Sequence, residues 1–358
     1  MSINFHHSDE RDPLARGLGI GNRWRDQILG TAKDYTWLFE AAGLDPRTVR
    51  AIAEDSYEHL RAWAPELAAE ITGIARGTGL RLWEVAALNS RTEILVRGAI
   101  AGLKECTSAV WLPPGEPPRA LQTWDWIPSI SNFTVLRHLS PEDLTVATFA
   151  ENGVLGKAGV NSSGLGLLFT LLCHTSDGTA EGVPIHAVAR RVLDTARSVA
   201  DAVDIVRSAR VSASASFTVV AWDGQAADGA TLEISPAGVV VLPPEEGFLL
   251  HTNHFLDPGL APGDRLAAIG DDTLPRLAEL RERRQVLTGA SRTEWARGLV
   301  CHWADGAPIC AHPRSGAPVT DRWETKMMIS FDLDRRCLVL QEGGPCGATE
   351  DGWTEVAV

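Results

Sequence analysis

The feature that most constrains this chain is a change of hydrophobic period at Cys106. Upstream of it, apolar residues recur at helical spacing, as in Ile28, Tyr35, Leu38 and Phe39, then Leu67, Ile71 and Ile74. Downstream the apolar positions alternate, as they do in strands. The switch falls within residues 104–126, KECTSAVWLPPGEPPRALQTWDW. A short apolar run follows Cys106, a Pro/Gly turn occupies residues 113–118, and a second run ends in Trp124-Asp125-Trp126. This pattern predicts a β-hairpin whose first strand opens with a thiol and whose second ends with a carboxylate. Such a hairpin brings Cys106 and Asp125 close, with two indoles to desolvate the acid and hold it in place.

Two explanations fit a thiol at the start of a strand. It is a buried strand cysteine, among the commonest residues in a protein interior. Alternatively the chain is cut between Glu105 and Cys106, and Cys106 gains an α-amino group. That amine has a pKa of about 8 and the thiol about 8.5, so near neutral pH the amine can take the thiol's proton.

The rest of the chain sets the layer order. Residues 1–14 read as a mobile tail. Arg16-Gly-Leu-Gly-Ile-Gly21 is glycine-rich but follows no strand and lacks the GK[ST] ending of a phosphate loop. Helices are expected over 22–42, 47–62, 65–76 and 81–97, with Gly43 as a stop and Asp45-Pro46 as a cap. Within the last of these, Asn89, Arg91 and Glu93 are polar residues in an apolar helix. They either support the nucleophile or are surface and capping polarity. Residues 98–105 form a linker. Strands are expected at 134–139, 145–149, 157–161 and 166–171, two amphipathic helices over 184–205, and strands at 217–222, 230–235 and 238–242. The strand from Gly247 breaks into His251-Thr-Asn-His-Phe255; residues 263–299 are helical, and strands follow at 327–333 and 336–341. This order suits an α+β chain with two antiparallel sheets between helical layers, not a βαβ alternation.

Charge and cysteine usage narrow the partners. The net charge of −13 argues against nucleic acid or an anionic membrane. No apolar run reaches the roughly 18 residues of a membrane span. The six cysteines show no CxxC pair, and MSINFHHSDERDP lacks an apolar signal core, so a reducing cytoplasm is expected. His251 and His254 come without an HExxH pattern. Cys301-His302 and Cys310-Ala311-His312 lack paired CxxC geometry. Neither a metal nor another cofactor is therefore expected. A papain-like pairing of Cys106 with one of these histidines would leave the WDW and HTNHF contexts unexplained.

Glu105-Cys-Thr-Ser108, then WDW, then HTNHF in that order resemble the penicillin acyltransferase family of self-cleaving N-terminal-nucleophile (Ntn) hydrolases, which includes β-alanyl-amine hydrolases. The resemblance runs from about residue 15 to 347 and includes ALN-x-RTE before the cut. It implies an αββα sandwich with a helical N-terminal segment, cleaved into 1–105 and 106–358 that stay one folded unit. It implies Cys106 as nucleophile, Asn253 as oxyanion donor and Asp125 orienting the new amine, with Arg91, Glu93, Thr107 and His251 in support. The substrate would be a small N-acyl amide, with acyl-CoA or an amine as possible co-substrate, and a homo-oligomer of cleaved heterodimers is left open. Two departures stand out: the fungal relative has Gly before its nucleophile where this chain has Glu105, and Ala311 stands where the family often carries Arg. They keep a second expectation open, an uncleaved, non-catalytic member that binds a small molecule or a protein.

Overall fold

The computed structural model describes residues 2–98, 106–269, 272–317 and 322–358. Residues 2–14, expected as a tail, are instead built into the fold. β1 (Ser2–Ser8) pairs in parallel with a strand 130 residues away, Ser2 opposite Asn132. Its partner is too distant in sequence for local patterning to reveal. Helix α1 (Pro13–Arg23) follows, with Asp12 capping the N–H of Ala15 and Pro13 in the first turn.

The glycine-rich run lies inside α1. After α2 (Arg25–Ala41) and α3 (Pro46–Trp63) the chain returns as α4 (Pro65–Thr78), which lies directly against α1. A Cβ on Gly17 would sit 2.1 Å from the Glu70 carbonyl oxygen, and one on Gly73 would sit 2.2 Å from that of Leu14. The glycines therefore let two helix backbones touch; they cradle no phosphate. The expected 81–97 helix is two, α5 (Leu82–Asn89) and α6 (Arg91–Leu95). The Asn89 and Ser90 side chains bond back to the carbonyls of Val85 and Ala86, which favours a break there.

The hairpin forms as the sequence predicts, from β2 (Thr107–Trp111) and β3 (Arg119–Trp126), with Thr107 opposite Thr123. Then come β4 (Asn132–Leu139), β5 (Thr145–Glu151), β6 (Ala158–Asn161) and β7 (Leu165–Leu171). Helices α7 (Ile185–Thr195) and α8 (Val199–Ser208) lead to β8 (Ala215–Trp222), β9 (Ala227–Ser235), β10 (Gly238–Leu242) and β11 (Phe248–His251). Helices α9 (Arg265–Ala268), α10 (Thr273–Arg283) and α11 (Arg292–Gly298) precede β12 (Glu324–Asp332), β13 (Cys337–Glu342) and β14 (Thr354–Ala357).

Among the described residues the strands form two sheets. One has eight strands in the order β1-β4-β5-β6-β7-β8-β9-β10; the other has six, β11-β2-β3-β12-β13-β14. Apart from the β1–β4 pair, the strand pairs are antiparallel. The sheets meet face to face where Trp124 of β3 lies edge-on to Phe133 and Phe149, 5.0 and 5.5 Å away. Gln122 donates across the same interface to the Phe169 carbonyl. Helices α7 and α8 pack on the eight-stranded sheet, and α10 and α11 on the six-stranded one. The result is an α+β molecule with helix, sheet, sheet and helix layers, and one apolar core joins the N-terminal helices to both sheets. No described helix is long and apolar enough to cross a membrane.

Candidate active site

Cys106 lies at the open end of the hairpin, fully buried, one residue before β2 begins. Its φ of 58° is in the left-handed region, where a non-glycine residue costs on the order of 1–3 kcal/mol. Glu105, the other side of the expected cut, lies outside the described residues, as does most of the 98–105 linker.

What joins the expected residues is Arg276 of α10, which the sequence reading did not single out. Its Nη1 donates to the Cys106 carbonyl at 2.9 Å and to the Thr107 hydroxyl at 3.0 Å, and its Nη2 donates to Asn253 Oδ1 at 2.7 Å. Its Nε donates to Asp272 at 2.7 Å, which balances the buried charge. A planar guanidinium suits such a multipoint grip, because its donors are fixed in a fork. No sequence motif announces it: the contact to Cys106 spans 170 residues.

Asn253 is fully buried just beyond β11. Its backbone N–H donates to Thr273 Oγ1 at 2.8 Å, and its Nδ2 donates to the Leu171 carbonyl at 2.9 Å. Arg276 on one end of the carboxamide and a carbonyl on the other fix which end is the donor. Nδ2 carries two hydrogens, and the Leu171 carbonyl is the one acceptor it has among the described residues.

Asp125 lies two residues past Thr123, the strand partner of Thr107. Its Oδ1 accepts from the Thr325 hydroxyl at 2.6 Å, and Thr325 Oγ1 in turn accepts the Ala311 N–H at 2.9 Å. Ala311, the expected departure from the family, thus acts here through its backbone.

The supporting residues have definite partners. Arg91 pairs with Glu151 at 2.7 Å and lies over the Trp126 ring at 5.1 Å. Burial alone would raise the Glu151 carboxyl, but Arg91 and Lys157 more than offset it and hold it at about 2. Glu93 accepts the N–H of Ile185 at the start of α7, and burial pushes its carboxyl up to about 7. Asn89, with them in the sequence, clips the turn at Gly153 and Leu155. None of these three is a surface residue. His251 bonds Glu233 at 2.9 Å and Ser216 at 3.1 Å, and His254 bonds Thr252 and Thr273. Each imidazole therefore has a hydrogen-bonding role in the wall, and the two do not form a shared metal cradle. His302, Cys310 and His312 do gather, and Cys346 joins them, while Cys301 turns into the core beneath α11.

Two stacked sheets between helical layers, with a thiol, a carboxamide and a carboxylate on the ends of neighbouring strands, define a class of layered α+β sandwich proteins. The profile of the family described as acyl-coenzyme A:6-aminopenicillanic acid acyl-transferase matches residues 112–345, and the chain belongs to that family. The matched span contains Asp125, Asn253 and Arg276 and begins downstream of Cys106. The 40 kDa form of acyl-coenzyme A:6-aminopenicillanic-acid-acyltransferase from Emericella nidulans is 29% identical over 194 residues, 54% of this chain and 52% of the relative. The chain thus spans about half the length of that curated relative. Two solved structures are also similar. Penicillin V acylase from Agrobacterium tumefaciens has a TM-score of 0.47 at 18% identity, covering 66% of this chain and 83% of that one. A variant of conjugated bile acid hydrolase from Clostridium perfringens has a TM-score of 0.49 at 12% identity, covering 70% and 92%. Both likenesses are distant, and the layer order above rests on this chain's own strands and helices.

Proposed function

We propose that this chain is a self-cleaving cysteine amidohydrolase or N-acyltransferase, and that it divides into 1–105 and 106–358. The observation that carries this reading is the Arg276 grip, which ties the carbonyl of Cys106, Thr107 and the Asn253 carboxamide into one buried constellation. Family membership supports the same chemistry, and the relative from Emericella nidulans acts, by its name, on acyl-coenzyme A and 6-aminopenicillanic acid.

In the first stage Cys106 Sγ attacks the Glu105 carbonyl carbon. The C–N bond to Cys106 breaks, the thiol proton passes to the departing nitrogen, and a thioester joins Glu105 to the sulfur. Water then hydrolyses the thioester and leaves a Glu105 carboxylate, a thiol and an α-amine. The left-handed backbone at Cys106 favours the step, because cutting the chain releases that strain.

In the second stage the Cys106 amine takes the thiol's proton, and the thiolate attacks an amide carbonyl. The spare Nδ2 hydrogen of Asn253 stabilises the resulting oxyanion. Asp125, held by Thr325, orients and favours the protonated amine. The proton moves to the leaving nitrogen as the acyl thioester forms. Water completes hydrolysis, or a second amine completes transfer. Arg91, Glu93, Thr107 and His251 would hold the surrounding wall. The substrate is a small N-acyl amide, with an acyl thioester such as acyl-CoA as alternative acyl source. A reducing cytoplasm suits a reaction that depends on a thiolate.

Denaturing electrophoresis with N-terminal sequencing tests the cut. The wild-type chain should give pieces of about 11 and 27 kDa, from a 38.6 kDa whole divided by residue count, the larger starting at Cys106. Incubation with a panel of small amides should add an acyl mass to that larger piece. An intact wild-type chain that ignores iodoacetamide at Cys106 would leave the non-catalytic reading standing instead.

A further inference from the structure

We infer that His302, Cys310, His312 and Cys346 form a closed, structural zinc-class metal site. One ligand atom from each lies within 4.8 Å of the other three. His312 Nε2 is 3.7 Å from Cys310 Sγ and 3.4 Å from Cys346 Sγ. A tetrahedral ion with bonds of about 2.0–2.3 Å holds its ligand atoms on the order of 3.3–3.8 Å apart, so these pairs already have the required spacing. The His302 and His312 rings are 5.1 Å apart, close enough for both to face one ion.

The surroundings point the same way. His302 Nε2 is buried and has no hydrogen-bond partner among the described residues, although its residue as a whole is only half-buried. A ring nitrogen shut away from water without a partner is costly, and a metal ion would satisfy it. Asp305 Oδ2 accepts the His302 backbone N–H at 2.8 Å and so fixes the stretch of loop that carries this ring. The donor set contains two sulfurs, two nitrogens and no oxygen, which selects zinc-class ions over calcium or magnesium. Binding would release one proton from each thiol. Two thiolates then neutralise a divalent ion, so the site carries no net charge.

The expectation of no metal rested on the missing CxxC pair, and the fold supplies the fourth ligand from the turn at residues 345–347. That turn meets the 301–312 loop at close range: a Cβ on Gly344 would lie 2.8 Å from Cys310 Sγ. The ion would staple loop to turn. Ala311, between two of the ligands, carries the N–H bonded to Thr325, and Thr325 holds Asp125. The staple therefore backs the wall behind Asp125, and four protein ligands leave no open position for catalysis.

Metal content tests this without any assay of activity. Untagged chain, purified under reducing conditions and dialysed against metal-free buffer, should carry one zinc per chain by plasma mass spectrometry. The reduced apo chain titrated with Co²⁺ should develop the visible bands of a tetrahedral ion and a near-ultraviolet thiolate band. Cys346→Ser, at an exposed position that should not disturb folding, should abolish the thiolate band's full intensity and weaken binding on the order of 100-fold. Asp305→Ala, which frees the loop backbone at His302, should keep the bands and weaken binding less than Cys346→Ser does. The inference is overturned if the reduced chain takes up neither ion, or if Cys346→Ser leaves the cobalt spectrum unchanged.

Discussion

Two buried polar clusters, one on each side of the molecule, use an arginine in different ways. Over the eight-stranded sheet, Arg190 of α7 bonds both oxygens of Asp194 at 2.9 Å and both oxygens of Glu70 at 3.1 and 3.0 Å. Glu70 also takes Arg16 at 2.7 Å, and Asp194 takes His138 at 2.8 Å. Burial would raise both carboxyls, but the surrounding cations hold Glu70 and Asp194 below their ordinary range. Over the six-stranded sheet, Arg276 bonds an acid, Asp272, through Nε, and its Nη atoms reach a carbonyl, a hydroxyl and a carboxamide. The first arginine cancels charge and locks helices together. The second converts its charge into orientation of uncharged groups.

The sharpest break of this comparison is Cys106→Ala. It should stop both the chain cut and amide turnover while leaving the melting temperature close to that of the uncleaved chain. A melting temperature far below it would mean that Cys106 serves packing and not chemistry. Next is Asn253→Ala, introduced so that cleavage can be followed separately. Loss of an oxyanion donor should lower kcat about 100- to 1,000-fold with little change in KM; an unchanged kcat would remove Asn253 from the mechanism.

Arg190→Met probes the other cluster. Taking Arg190 away leaves Asp194 with His138 alone and Glu70 with Arg16 alone in a buried site, and should cost about 3–5 kcal/mol in urea unfolding. Activity at temperatures where the variant is folded should stay near wild type, and a large fall in kcat would merge the two clusters into one functional unit. The smallest effect is expected at Glu93, whose folded-state carboxyl lies near 7 because of burial. A raised pKa means that the folded chain holds a proton the unfolded chain loses. Its contribution is therefore fully present below about pH 4.5 and is lost as pH rises toward 7. Glu93→Gln keeps an oxygen to accept the Ile185 N–H, so it should stabilise the chain by up to about 3 kcal/mol at pH 8 and hardly at all at pH 4.5. Equal effects at both pH values would mean that Glu93 is ionised throughout.

Much of the fold could be read from local pattern, and the misses have specific causes. The hairpin, the Asp45 cap and most strands came from residues adjacent in sequence. The sequence at residues 16–21 shows only that the glycines do not form a phosphate loop; their role, a backbone contact with α4, depends on Gly73 and its neighbours being in place. The break at Ser90 has no Gly or Pro to mark it; it lies in the polar run Asn89-Ser-Arg-Thr-Glu93, where the Asn89 and Ser90 side chains bond back to the preceding turn only once the helix has formed. At the candidate site, Cys106, Asp125 and Asn253 were legible by motif, whereas Arg276 was one arginine among several on a charged helix. Cys346 gave no signal as a partner of His302, Cys310 and His312, since its distance along the chain follows no metal-binding spacing.

The sequence by itself determined where helices give way to strands, which strands form the hairpin, and which thiol stands at its mouth, because these depend on side-chain alternation over a few residues. Only the tertiary structure decided that α10 delivers Arg276 to that thiol, that β1 completes a sheet edge, and that a C-terminal turn brings Cys346 to two histidines. Those contacts depend on which faces of distant elements bury each other, and that choice is made by packing of the whole chain.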